Sequence, residues 1–315
     1  MIDCLRPDTP YPVLELIGEH GAAKSTTQTI LRCLLDPNGC NLRGAPKSAE
    51  DVYVSAKSSA ILSYENVSLL SASIQDALCV LSTGGGYAKR KLYSDFDECV
   101  IDVKRPTILN GTAATVTAQD LADRTISIEL PVITARRETI EIWSEFEQLA
   151  PSLLGALFDI AAKALQILPT IELPPEKRPR LLEYARLGMA VAQAIGDEPE
   201  AFLRAFNVNR NESLHRIIDE SPVATAIQEL INDRPEGVTE PVKGLLALLE
   251  KYRAPGCESW PRTPKGLGDA LRRAKPALRQ LGIQCTCLGK GSGGIVRWTI
   301  STAGPAMTHR ESIND

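Results

Sequence analysis

Aromatic residues are scarce: Phe, Trp and Tyr make up 5% of the 315 residues. The core must therefore be built from aliphatic side chains. None of the eight cysteines forms a C-x-x-C pair, which removes the common zinc-ribbon and thioredoxin spacings and leaves reduced thiols in a cytosolic protein as the expectation. Cys285 and Cys287, two apart on one strand face, are the one faint zinc hint. The start, MIDCLRPDTP, has neither a basic n-region nor an apolar h-region, so no secretory signal is expected. No apolar run of 18 residues stands out, so the expectation is a cytoplasmic protein with no membrane partner. There is no internal repeat and no long low-complexity tract. What remains, 43% hydrophobic and 23% charged, suits a soluble globular chain of two or three domains.

The net charge of −4 hides an asymmetry. Residues 251–297 carry ten basic and two acidic side chains, whereas residues 1–250 carry 24 basic and 35 acidic ones. A basic module on an acidic body points to a polyanionic partner.

Along the chain, 12–17, 60–66, 98–103, 106–111 and 125–130 read as strands. Helical periods cover 25–35 and 71–82, the latter stopped by Gly84 to Gly86. Strands alternating with helices imply an α/β sheet-and-helix domain over 1–135. After Pro131 the chain turns helical. Residues 136–167 and 176–195 have helical spacing, a proline-rich connector lies between them, and 198–219 reads as a helix pair, together a lid over 136–220. The units 222–232, 240–252 and 263–281, followed by a glycine-turned hairpin at 283–301, have the order of a winged helix-turn-helix over 221–301. Residues 302–315 read as a flexible tail.

The most informative stretch is GEHGAAKST, between the apolar run PVLELI and the helical run TTQTILRCLL. A triphosphate needs converging backbone N–H donors, a lysine on its β and γ phosphates, and a hydroxyl on Mg²⁺. Gly18 and Gly21 give the tight turn, Ala22 and Ala23 continue it, and Lys24, Ser25 and Thr26 open the helix as in a P-loop. Alanine replaces the glycine expected before the lysine. Because alanine takes positive φ poorly, the loop is expected to keep an ordinary φ at Ala23. Glu65, ending the strand AILSY beside Asn66, is the acidic candidate for holding Mg²⁺ with Ser25 and for activating water.

The loop variant resembles the G-x-P-G-x-A-K-S loop of minichromosome-maintenance helicases. The order GEHGAAKST, ILSYENVS, IQDALCVLSTGGGYAKRKLYSD, RPTILNG, DLADRTISIELP is similar to the AAA+ ATPase module of phage and mobile-element replication proteins, the primase–helicase-like ATPases. That group carries Asp where Glu65 stands. The resemblance implies ATP and Mg²⁺ as cofactors, Asn110 as the polar sensor of the attacking water, and Arg124 as the arginine reaching a γ-phosphate in the same or a neighbouring subunit. Arg136 and Arg137 are weaker candidates for that task. It also implies a ring-forming homo-oligomer and a DNA-gripping hairpin carrying Lys89, Arg90 and Lys91 between Tyr87 and Tyr93, with Arg90 alternatively a finger in trans. The loop begins 17 residues from Met1, so the expectation is a separate subunit, or a remnant, working with a separate primase.

In WPRTPKGLGDALRRAKPALRQLGI, the spacing makes Thr263 an N-cap, and Pro264 suits the first helical position. Leu267, Leu271, Leu278 and Leu281 form a core stripe, with Arg272, Arg273, Lys275 and Arg279 toward the other side and Pro276 expected to kink or split the helix. This fits a recognition helix in a major groove, with Lys290 and Arg297 touching backbone from the wing. Three functions stay open: a DNA-acting ATPase such as a helicase or helicase loader, a nucleotide-switched DNA-binding regulator, and a non-hydrolysing scaffold.

Overall fold

The computed structural model describes residues 1–7, 9–90, 98–219, 221–255, 260–290 and 294–302. The chain divides into two compact units, Met1–Ser213 and Leu214–Asp315. In the first, a 3-10 turn at Ile2–Leu5 leads to β1 (Val13–Ile17), α1 (Lys24–Leu35), β2 (Arg43–Gly44), α2 (Ala49–Ser58), β3 (Leu62–Glu65) and α3 (Ala72–Thr83). β4 (Gly85–Arg90), β5 (Glu98–Val103), β6 (Thr107–Gly111), α4 (Gln119–Ala122), β7 (Thr125–Glu129), α5 (Thr139–Ile167), α6 (Leu182–Ile195) and α7 (Pro199–Asp219) follow, the last crossing the boundary between units.

The fold is mixed α/β. A parallel five-stranded sheet runs in the order β2-β3-β6-β1-β7. Its middle strands are short apolar runs buried on both faces, as parallel strands covered by helices require; Val13, Leu16, Leu62 and Leu109 are nearly inaccessible. β5 is absent from that sheet and pairs antiparallel with β4 in a separate hairpin. Tyr87 on β4 stacks on Tyr53 of α2 at 4.5 Å, so the base of the hairpin rests on that helix and this ring is already engaged. β2 and α2 were not foreseen, although α2 begins with a legible signal: Ser48 accepts from the Asp51 amide while Asp51 accepts from the Ser48 amide.

α7 is one helix of 21 residues rather than the expected pair. The expectation that no apolar segment reaches spanning length also needs correction. Residues Thr139–Thr170 form a helical stretch of 32 residues with a window of mean hydropathy 1.4, only 11% of it buried, which suffices by length and composition. Asp159 and Lys163 interrupt the apolar run in the sequence and obscured it. One side of α5 packs on α6, where Lys163 donates to the Ala194 carbonyl at 2.7 Å.

The second unit contains α8 (Pro222–Asp233), β8 (Val238–Pro241), α9 (Val242–Leu249), α10 (Pro264–Gln280), β9 (Ile283–Lys290) and β10 (Val296–Thr302). Its three strands pair antiparallel in the order β8-β10-β9. Leu230, Leu245, Leu267, Leu271, Leu278, Trp298 and Ile300 fill one core. The Thr263 hydroxyl caps α10 by accepting from the Gly266 amide at 3.1 Å, with Pro264 at the first position. Pro276 lies inside α10 without splitting it. Its neighbours Ala274, Ala277 and Leu278 are buried in the core, and that packing carries the helix through a residue costing about 3 kcal/mol in propensity.

Candidate functional site

All five strands of the sheet point the same way, so their C-terminal ends share one edge, where ligands gather in open α/β sheets. β1 ends at Ile17, opposite Gly111 of β6, while Tyr64 of β3 stands opposite Leu109. The register therefore sets Asn110 between Leu16 and the Glu65 end of β3. The loop after β1, the end of β3 and the end of β6 converge on a cavity of about 440 Å³ lined by residues including Lys24, Ser25, Thr26, Glu65, Asn66 and Asn110.

The loop is held in a specific shape. Gly18 and Gly21 have φ of +149° and +89°. A Cβ at Gly18 would stand 2.7 Å from the Leu130 carbonyl oxygen, where the chain leaves β7. Ala23 also has positive φ, +53°, with ψ of 28°. The expected ordinary φ is therefore wrong: the helix has to begin one residue on, and the left-handed turn is imposed on alanine at about 1–2 kcal/mol.

The Lys24 ammonium folds back over the loop, donating to the Gly18 carbonyl at 2.7 Å and the Glu19 carbonyl at 2.8 Å. No side chain caps α1. Among the described residues nothing accepts from the amides of Ala23, Lys24, Ser25 or Thr26, while the Ala22 amide donates to the Glu19 carbonyl at 3.3 Å. This leaves a positive helix end with free donors beside the cavity.

Behind the cavity lies a polar network. Asn110, 2% exposed, donates from Nδ2 to Gln28 Oε1 at 2.5 Å and accepts from the Asn66 amide at 2.8 Å. Its own carbonyl accepts from the Val67 amide at 2.8 Å, so Asn110 braces the turn that follows Glu65. Asn66 in that turn has φ of +52°. Gly111 is required by close approach: a Cβ there would meet the Val67 oxygen at 2.5 Å. Gln28, fully buried, donates to Ser63 Oγ and the Tyr64 carbonyl at 2.8 and 3.1 Å. One turn on, Arg32 is equally buried, pairs with Asp36 at 3.0 Å and donates to the Ile61 carbonyl. Burial lowers the affinity of its guanidinium for its proton.

Glu15, inside β1, accepts from the Thr115 amide at 2.6 Å, the Thr115 hydroxyl at 3.1 Å, the Val116 amide at 3.3 Å and the Ser127 hydroxyl at 2.7 Å. These bonds fix the loop that follows Asn110. The roles of Gln28 and Glu15 were missed. Their signals were a polar residue four after Lys24 on the same helical face and a lone carboxylate within VLELI.

Arg124 does not join this cavity. It immediately precedes β7, opposite the start of β1, at the other edge of the sheet, about 13 Å away by strand rise. Its guanidinium is held by Asp120 at 2.7 Å, and the residue is 7% exposed. Burial pushes the Asp120 carboxyl up, but the cations of Arg124 and Arg180 outweigh it and hold that carboxyl below the usual range. Burial also pushes the adjacent Cys79 thiol up to about 12. The arginine beside the loop is Arg136, whose Nη2 lies 2.9 Å from where a Cβ on Gly21 would stand. Arg137 pairs with Glu145 at 2.7 Å instead.

Lys89 and Arg90 end β4, but the side chains of Lys89, Arg90 and Lys290, and all of Lys91 and Tyr93, lie outside the described residues. In the second unit, Arg273 and Lys275 are exposed on α10, and Arg272 is paired with Asp269 at 2.7 Å. Arg279 lies one turn further along the same helix and is exposed too, and Arg297 is exposed on β10. Cys285 is buried, Cys287 is exposed, and both are free; no cluster of three or more His, Cys, Asp or Glu side chains suited to a metal occurs among the described residues.

Residues 1–206 match the family model of the actinomycete integrative conjugative element replication protein, AICE RepA, and residues 223–311 match that of the AICE RepA C-terminal domain. The chain belongs to the AICE RepA family. This makes it a replication protein of a mobile element. Two similar solved structures are apo forms of the NrS-1 C-terminal region. One has a TM-score of 0.37 and 13% identity over 92% of this chain and 67% of the other. The second has a TM-score of 0.39 and 12% identity over 96% and 70%. No curated protein matches the chain.

Proposed function

We propose that this RepA-family chain is a Mg·ATP-dependent, DNA-acting ATPase in replication of its element, a helicase or helicase-loader subunit with an AAA+-like P-loop. One observation carries the reading: Lys24, Ser25, Glu65 and Asn110, from the ends of neighbouring strands and the start of one helix, share a single cavity at the C-terminal edge of a parallel sheet. The uncapped end of α1 suits a polyphosphate, and the Lys24 ammonium, held among the described residues only by the Gly18 and Glu19 carbonyls, supports the same reading.

In this reading Lys24 leaves those carbonyls for the β and γ phosphates, and the amides of residues 23–26 hold phosphate oxygens. Ser25 and Glu65 are the residues that would hold Mg²⁺, Ser25 by its hydroxyl and Glu65 through water. Bound there, Mg²⁺ would neutralise charge growing on the phosphate oxygens. Glu65 takes the proton of the attacking water, and Asn110 keeps the Glu65–Asn66 turn aimed at it. The helix–strand–helix–helix–hairpin order of the second unit supports a winged helix-turn-helix, with Arg273, Lys275 and Arg279 of α10 and Arg297 of β10 toward DNA phosphates. A ring of copies, a separate primase partner and a cytoplasmic location complete the reading.

Arg124 stands away from the cavity of its own chain, which leaves it only the neighbouring-subunit role; without that role the second reading is a nucleotide-switched DNA-binding regulator with slow turnover. ATP turnover and nucleotide binding, with and without single-stranded and duplex DNA, test both. Wild type should turn over ATP faster with DNA. Lys24→Ala should lose binding, and Glu65→Gln should bind with turnover down about 10²-fold or more. Strand separation on a forked substrate distinguishes motor from switch. Wild type that binds no nucleotide at millimolar concentration would overturn both.

A further inference from the structure

The second unit has a pocket of about 360 Å³ between the N-terminal turns of α9 and α10 and the start of β10. Its wall includes Ile295, Val296 and Trp298, and its lining is mostly carbon. Three exposed cations, Lys243, Lys265 and Arg272, also line it. Arg272 is shared with Asp269, but among the described residues Lys243 and Lys265 have no ion-pair partner. Trp298 is 1% exposed, and its indole N–H meets no acceptor among the described residues. Gly268 leaves room on that wall: a Cβ added there would meet only the Arg272 Nη1 atom, at 3.9 Å.

We infer that this pocket docks an acidic protein segment through one bulky apolar side chain. Apolar walls of this size suit an aliphatic or aromatic anchor, and cations around it suit carboxylates flanking that anchor. A DNA backbone satisfies the cations but leaves the apolar wall empty. The surplus of ten basic over two acidic side chains in residues 251–297 steers the same partner. The pocket thus gives the unit a protein contact separate from the nucleotide cavity, and it stands whether or not ATP is bound there.

Fluorescence anisotropy of labelled hexapeptides on the full chain tests this. One peptide carries Leu-Phe between pairs of acidic residues, the second replaces Leu-Phe by Gly-Gly, and the third replaces the acidic residues by Lys. The first should bind saturably, and the other two at least tenfold more weakly. Gly268→Phe fills the pocket and should weaken the first peptide at least tenfold. Lys243→Glu with Lys265→Glu should do the same and covers a folding failure of Gly268→Phe. Equal binding of the Gly-Gly peptide, no binding at millimolar concentration, or indifference to both variants overturns the proposal. So does loss of duplex DNA binding in Gly268→Phe with no peptide effect, which assigns the pocket to nucleic acid. Self-association seen by sedimentation and abolished only in Gly268→Phe, without peptide binding, overturns it as well and assigns the pocket to a second copy.

Discussion

Ala23 and Gln28 show how much a single position carries around the cavity. Ala23 sits at φ +53° where the loop turns into the first residue of α1, and alanine takes that conformation at a cost. Ala23→Gly should therefore leave stability unchanged or raise it by up to about 1 kcal/mol, the relief being partly offset by the entropy of glycine. Thermal unfolding checks this, and a clear drop in stability would contradict the left-handed turn. Gln28 looks like an ordinary helical glutamine in the sequence. In the fold it ties α1 to the ends of β3 and β6 that bear Glu65 and Asn110. Lys24, Ser25 and Glu65 were legible because their types and spacing are local. The brace between Gln28 and Asn110 was not, because it joins residues 82 apart.

At the scale of elements, α10 buries Leu267, Leu271 and Leu278 in the core, while Arg273, Lys275 and Arg279 are exposed around the rest of its circumference. On the proposed reading these three cations neutralise DNA phosphates. Replacing all three with Gln should reduce the slope of log affinity against log salt by about 0.9 for each phosphate no longer neutralised, with little effect on folding. Titration of duplex DNA at several salt concentrations measures it, and an unchanged slope removes α10 from the interface. The helical period of α10 and its Thr263–Pro264 start were readable in advance. Its continuity through Pro276 was not, since buried neighbours rather than local propensity decide that point. The same holds for Arg124. Its place after a sensor-like strand suggested a role at the nucleotide, yet a parallel strand has two ends, and Arg124 lies at the one remote from the loop.

Across the whole molecule, the two units have separate cores. One gathers residues of α8, α9, α10 and the β8-β10-β9 sheet; others lie around α5–α6 and around β1, β3 and β6. Leu271→Ala, at a fully buried position of the C-terminal core, should destabilise that unit by about 2–5 kcal/mol and leave the melting of the Met1–Ser213 unit in place. Calorimetry should resolve this as a shift of one transition. A single transition moving as a whole would show that the units unfold together.

The sequence by itself determined the elements whose cause is local: the apolar strands, the amphipathic helices, the glycine turn with its lysine, and the basic C-terminal stretch. Only the tertiary structure decided what depends on strand order and direction. It put β6 between β1 and β3, which brings Glu65 and Asn110 to the loop and takes Arg124 away from it. It set β5 outside the main sheet and opened the apolar pocket beside Trp298. Periodicity reports which face of an element is buried, whereas the neighbour that buries it is chosen by long-range packing.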